Sequence, residues 1–596
     1  MPTIQPDSAS AHMHYRVTAH DLQARLFAVE LQVLSPAAQQ QVSLPIWIPG
    51  SYLVREFAKN LQGLQASQAG AVVAVRQLDK QRWQIDCAAG VPLTLSYQVT
   101  AYDNSVRTAW LDAQRGFFNG TSLCLRVHGQ EDAPHNLEVA PTPATADWRV
   151  ATGLDPARID ARGFGLYRAQ DYDELVDCPV EIGRFWSGFF EAGGVRHQFI
   201  VAGAAESFDH ERLLEDSRKI CEAAIGFWHA HDGSRAPHGR YVFMLNVVND
   251  GYGGLEHRNS TALICSRRDL PRVGDSKTSD GYTTLLGLIS HEYFHTWNVK
   301  RLRPDAFARY DYDRENYTEL LWFFEGFTSY YDDLLLLRAG LIDEARYLKL
   351  LSKTVNQVLQ TPGRQLQSVA QSSFDAWVKY YRQDENTANS TVSYYTKGAL
   401  VALSLDLTLR REGKGSLDAV MRALWQRCSG GPMSEADVLA VLEQIAGRSY
   451  ADELARWVHG IEELPLEELL AAHGVRLQPE PPQPAQRLGL RVQENHSIQI
   501  KAVLRGGLGE RAGFMAGDEW LGIELESGTG WRLAKLEDIA FYAGQAPKLT
   551  ALVARDQQLL RLPLGLVEAE GALAANVGLG VADAELARRW LRDAPP

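Results

Sequence analysis

His291 and His295 stand four residues apart, a spacing that puts both on one face of a helix and within reach of one metal ion. Glu292 follows the first histidine, where its carboxylate can take a proton from water held by that metal. Residues of these types in the order His-Glu-Tyr-Phe-His carry the chemistry of zinc peptidases, metal-assisted attack of water on a peptide bond.

The elements around the motif fit that chemistry. Leu285-Leu286-Gly287-Leu288-Ile289-Ser290 runs into it without proline or a turn cluster, so the histidines ride a buried helix toward a cavity. The stretch Glu319 to Tyr331 is apolar nearly all round and predicts a second buried helix. Glu325 is a carboxylate in that apolar segment, and a buried charge needs a partner. A core arginine would serve, but zinc fits better. Catalytic zinc sites combine two histidines with one glutamate and leave the fourth position to water. Residues 296–324 are long enough for one helix to end and a second to return antiparallel.

Composition bounds the rest. A chain of 596 residues predicts three or four domains, and 45% apolar with 22% charged residues is ordinary for a soluble protein. A net charge of -13 argues against nucleic acid and suits a cationic substrate such as a peptide with a free amino terminus. The six cysteines form no CxxC pair and read as free thiols in a reducing compartment. No apolar run reaches membrane length, and Met1 to Asp7 lacks the form of a signal peptide, so a cytoplasmic protein without membrane partners is expected.

Along the chain, alternation at Phe27, Val29, Leu31 and Val33, and at Leu93, Leu95, Tyr97 and Val99, predicts an all-β domain over residues 1–180. A second domain is expected over 181–476; helical patterns dominate it from about residue 205 to 475, interrupted by one β segment, Tyr241 to Ile264, with Gly251-Tyr252-Gly253-Gly254 as a glycine-rich turn. An amphipathic helix is expected from Ala399. Pro479, Pro481, Pro482 and Pro484 mark 477–487 as a semi-rigid linker. A small domain over 488–570 and a tail over 571–596 follow. The run Lys300, Arg301 and Arg303 reads as a solvated charged face, and the remaining histidines as surface or satisfied core residues.

Three stretches together resemble one family: His291 through Arg301, Trp322 through Tyr331, and Ile46-Trp47-Ile48-Pro49-Gly50-Ser51-Tyr52. They are similar to the PDZ-bearing glycyl aminopeptidases, gluzincin metallopeptidases distantly related to aminopeptidase N. The resemblance implies a multidomain α+β protein. It would have an N-terminal β domain, a thermolysin-like, mostly helical zinc domain and a C-terminal PDZ domain. It implies one Zn2+ per chain and removal of amino-terminal residues, preferably glycine or alanine. Gly253-Gly254-Leu255-Glu256-His257 resembles the Gly-x-Met-Glu-Asn element, whose glutamate holds the substrate's α-ammonium. That gives Glu256 this role, with Gly253 and Gly254 in the same binding element. His257 departs from the pattern, and its role is open. Tyr395-Thr396-Lys397-Gly398 resembles the Tyr-x-Lys-Gly element, whose tyrosine faces the developing oxyanion, so Tyr395 rather than Tyr394 takes that part.

Within that scheme His291, His295 and Glu325 hold the metal, Glu292 is the general base, and Glu256 anchors the free amine. Leu488-Gly489-Leu490 would be the PDZ carboxylate-binding loop, receiving a peptide C-terminus or an extended strand. Two alternatives stand beside it. One is a zinc endopeptidase, for which Glu256 is incidental. The other is a PDZ scaffold with a decayed peptidase site, against which the intact ligand and base set argues. Oligomeric state is left open.

Overall fold

The computed structural model describes residues 12–566 and 576–592 and divides the chain into two units, Met1–Asn316 and Tyr317–Pro596. The stretch 1–7, read above for a leader, lies outside the described residues. No helix among the described residues is long and apolar enough to cross a membrane.

In the first unit, alternation builds the sheets as expected. Strands Leu26–Val33 and Leu93–Thr100 pair antiparallel, setting Phe27 against Val99 and Leu31 against Leu95. All four side chains are buried, because period-2 alternation turns one face of each strand to the core. These strands belong to an eight-stranded sheet, and two four-stranded sheets accompany it. The expected all-β domain is β-rich rather than purely β. Helices Gly120–Leu123 and Tyr172–Val176 interrupt it, both too short to show a helical period in the sequence.

A five-stranded sheet follows. Its central strands, Val195–Ala202, Arg240–Val248 and Ser260–Ser266, are parallel. The 20-residue helix His210–His229 supplies the crossover between the first two. Arg240–Val248 is buried along nearly its whole length, as a strand covered on both faces must be. That explains the imperfect alternation of the Tyr241–Ile264 segment, which is three strands rather than one. The expected turn at Gly251–Gly254 is corrected as well. Tyr252–Glu256 is a strand at the sheet's end, antiparallel to Ser260–Ser266. The motif helix, Asp280–Phe294, is capped by Ser279, whose hydroxyl accepts from Tyr282 N. It is buried on almost every side and packs against His210–His229 and Tyr252–Glu256.

In the second unit, helix Leu321–Arg338 carries Glu325 and is buried nearly all round. It packs on helix Thr396–Arg411, which is buried from Lys397 to Leu409 and so is not the amphipathic helix expected. The two backbones meet at glycines. A Cβ on Gly326 would lie 2.6 Å from Gly398 Cα, and one on Gly398 2.5 Å from Trp322 O.

The expected linker carries regular structure. Val475–Glu480 pairs antiparallel with Asn576–Val581, and helix Pro484–Leu488 begins with Pro484 in its first turn. Proline is admissible at both places. A two-stranded sheet leaves one edge of each strand without a ladder, and the first turn of a helix needs no N–H. The expected tail is likewise structured where described. Asn576–Val581 is a strand, and helix Ala584–Leu591 buries Ala587, Trp590 and Leu591. Residues 567–575 and 593–596 lie outside the described residues. Between these pieces, six strands from Leu490 to Gly565 enclose their own core around Trp520.

Candidate active site

The motif helix ends where its chemistry begins. His295 is its C-cap, and its Nδ1–H donates to Asn298 O at 2.7 Å. A carbonyl only accepts, so the proton sits on Nδ1 and the lone pair on Nε2. That Nε2 faces His291 Nε2 at 3.1 Å. Two imidazole nitrogens so placed, one with its lone pair fixed, are a donor set for a cation of the zinc type.

Glu292 is buried on the same helix. The strand Tyr252–Glu256 reaches it through Gly254, where a Cβ would overlap the Glu292 carboxylate. Arg107 Nη2 donates to Gly254 O at 3.4 Å, and a Cβ on Gly253 would lie 3.8 Å from Arg107 Nη1. Only backbone fits at Gly254, whereas the contact at Gly253 is an ordinary van der Waals one.

Glu256 ends that strand with 4% of its surface exposed. One ligating atom each of Glu256, Glu292 and His295 lies within 4.8 Å of the others. Glu256 Oε1 is buried and has no hydrogen-bond partner among the described residues. Buried polar atoms are nearly always paired, and two neighbouring buried carboxylates demand positive charge. Gly50 closes the other side. It adopts φ +90°, and a Cβ there would sit 2.5 Å from Glu256 Oε1. Trp47 fixes this loop by donating from Nε1 to Asp311 O at 2.8 Å.

Behind Glu256 lies a charge cluster. His257 Nδ1–H donates to Asp177 Oδ1 at 3.2 Å, and Arg258 donates from N and Nε to Oδ2. Lys300 Nζ is 2.6 Å from Oδ1. Burial alone would raise the Asp177 carboxyl. The charge of Lys300, with His257 and Arg258, overrides it and holds Asp177 well below the usual carboxylate range. The basic run after the motif is therefore not a solvated face. Lys300 is buried in this ion pair, and Arg301 donates to the carbonyls of Arg258, Thr296 and Pro237. His257 serves here as a second partner of Asp177.

In the second unit, Glu325 is 2% exposed. Tyr395 stands at the N-cap of helix Thr396–Arg411, one turn before Gly398. Burial first, then the charge on Glu325, pushes the Tyr395 hydroxyl well above its ordinary pKa. Tyr394 is fully buried and stacks on Tyr395 with centroids 4.7 Å apart, whereas Tyr395 is only half-buried. Of the three residues expected to form a carboxylate-binding loop, Leu488 is buried, Gly489 turns the chain with φ +64°, and Leu490 opens the strand at the end of its sheet. A Cβ on Gly489 would lie 2.8 Å from Gly507 Cα.

Sequence reasoning missed three contributors to the site: Gly50 as a wall, Asp177 as the anchor behind Glu256, and Arg107 on the Gly254 carbonyl. Only Gly50 carried a signal, the Pro49-Gly50 pair.

Two family models match the chain. The Peptidase M61 N-terminal domain covers residues 14–184, and M61 glycyl aminopeptidase covers 284–401. Among solved structures, an aminopeptidase N family protein from Idiomarina loihiensis is 39% identical, covering 97% of this chain and 100% of that one with a TM-score of 0.91. An M1 zinc metallopeptidase from Deinococcus radiodurans is far more distant, at 14% identity over 76% of this chain and 95% of that one with a TM-score of 0.49. Comparison with curated proteins finds no match. By its family models and its near-complete likeness to the Idiomarina protein, the chain belongs to the M61 glycyl aminopeptidase family and is a zinc aminopeptidase, a hydrolase of peptide bonds.

Proposed function

We propose that this enzyme removes small residues, glycine and alanine first, from peptides with a free amino terminus, using one zinc ion held by His291, His295 and Glu325. The observation that carries the exopeptidase reading is the buried Glu256 Oε1, without a hydrogen-bond partner among the described residues, beside Glu292 and His295. An α-ammonium on Glu256 satisfies that oxygen and offsets the paired carboxylates by a charge-assisted hydrogen bond. It also registers the substrate by its end, with the first peptide bond beside Glu292. The preference for glycine rests on the family description, and alanine is the next smallest side chain.

Each group then has one task. The His295 Nδ1–H bond to Asn298 O keeps the ring oriented. Zinc, when bound, supplies a Lewis acid that acidifies water and polarises the scissile carbonyl. Glu292 accepts the proton of the attacking water and returns it to the leaving amine. Tyr395 donates its hydroxyl hydrogen to the carbonyl oxygen as negative charge builds there. Gly253 and Gly254 leave room for the substrate backbone along the strand.

We further read residues 181–476 as the thermolysin-like domain and 488–570 as a PDZ domain. Its strand Leu490–Glu494 ends the sheet order among the described residues, leaving an edge for an extended peptide. The free cysteines suit a reducing, cytoplasmic compartment. The test is hydrolysis of glycyl- and alanyl-anilides against their N-acetylated forms. Free amines are cleaved and acetylated ones are not; equal cleavage of both would leave an endopeptidase.

A further inference from the structure

A half-open cavity lies wholly inside the second unit and takes no part in the chemistry above. It encloses about 580 Å3, within the ordinary range for small-molecule sites. Its wall is apolar, built from Val358, Leu400, Leu464, Leu477 and Val577. Into it projects Lys397, whose side chain is 3% exposed.

That lysine is the anomaly. Among the described residues no carboxylate comes within 4.0 Å of its ammonium and no hydrogen bond is formed by it. Other buried cations of this chain are paired: Lys300 with Asp177, Arg338 with Asp418, Arg410 with Asp406. Two acids line the cavity, Glu463 and Glu467, and both are exposed; Glu463 accepts from Arg364 Nε at 2.9 Å. Burial, relieved in part by Glu463, lowers the Lys397 pKa. An ammonium set in an apolar wall, with its nearest acid already committed to Arg364, is costly. An anion supplied from outside would relieve that cost, and the apolar wall selects an anion with a hydrocarbon stem.

We propose that this cavity binds an amphiphilic carboxylate, its aliphatic stem along the apolar wall and its carboxylate on Lys397. Two sources share that chemistry, a fatty-acid-type monocarboxylate and the C-terminal carboxylate of an apolar peptide. Arg364, bound to Glu463, also lines the cavity. The site lies two residues along the chain from Tyr395.

The experiment is calorimetric titration of the full chain with sub-micellar decanoate, 1-decanol and N-acetyl-leucyl-leucine. Binding is read directly, so failure of the hydrolytic reading does not affect the outcome. At least one carboxylate is expected to bind the wild type, with 1-decanol roughly tenfold weaker than decanoate or worse, and with Lys397→Met weakening the carboxylate by roughly tenfold or more. Leu477→Trp, which fills the cavity from its wall and leaves the lysine in place, should also abolish binding. Decanoate alone binding assigns the fatty-acid source, and the acetylated dipeptide alone assigns the peptide terminus. No binding of either carboxylate to the wild type overturns the proposal. So does decanoate binding that survives Lys397→Met unchanged, or 1-decanol binding as tightly as decanoate. Should Lys397→Met fail to fold, unchanged binding by Leu477→Trp overturns it alone.

Discussion

Replacing Glu256 with glutamine removes one charge and keeps the shape. The carboxylate is 4% exposed and one of its oxygens has no partner among the described residues, so solvent neither screens nor replaces the pairing with a substrate ammonium. Removing one side of a buried, hydrogen-bonded charge pair costs about 2–5 kcal/mol. The amide keeps an acceptor oxygen, which favours the lower half of that range. A loss of about 3 kcal/mol lowers kcat/KM roughly 150-fold on alanyl-anilide. Acetylating the substrate amine deletes the same pairing from the other side. The acetylated substrate should therefore be as poor for the variant as for the wild type, and the two losses should not add. Zinc content measured on the same preparations must stay unchanged, because Glu256 is not assigned to the metal. If Glu256→Gln stays within about threefold of wild type on the free-amine substrate, the assignment of Glu256 is wrong.

Four further outcomes follow from the same geometry. Glu292→Gln should retain zinc and lose about 1,000-fold in kcat, the scale of general-base removal, read by steady-state kinetics beside metal analysis. Tyr395→Phe should lower kcat about 100-fold with KM little changed, since its donor acts on developing charge; a rise in KM alone would make it a binding residue. Gly50→Ala puts a side chain at φ +90° and 2.5 Å from Glu256 Oε1. It should raise KM and lower stability by about 1–2 kcal/mol, read by denaturant titration. Asp177 has a folded-state pKa below its unfolded value. Its stabilisation is therefore complete above about pH 4 and is lost as pH falls through the depressed folded value. Asp177→Asn leaves Lys300 buried without its partner and should cost about 3–5 kcal/mol near neutrality while flattening that acid limb.

What the sequence made legible, and what it hid, divides by distance along the chain. The motif helix and the strands at Phe27 and Leu93 announce themselves through local periodicity, because one element's own spacing decides which face it buries. Glu256 was legible for a similar reason: its glycines sit beside it, and the structure shows why, since Gly254 has the Glu292 carboxylate where a side chain would be. Lys300 and Arg301 were misread because a run of cations looks solvated until a partner appears. The partner of Lys300, Asp177, lies more than a hundred residues earlier and has no local signature. The prolines at 479 and 484 were misread for another reason. Proline forbids a central strand or a helix interior, but a two-stranded edge and a helix's first turn satisfy its missing N–H.

The account stands most directly on where the metal goes. Crystals of the zinc-loaded protein, measured on both sides of the zinc absorption edge, should show one anomalous peak per chain. His291 Nε2, His295 Nε2 and a Glu325 carboxylate oxygen should surround it, with the fourth position held by solvent. A peak elsewhere, a Glu325 carboxylate turned away from it, or a fourth protein atom sealing the ion would contradict the hydrolytic mechanism.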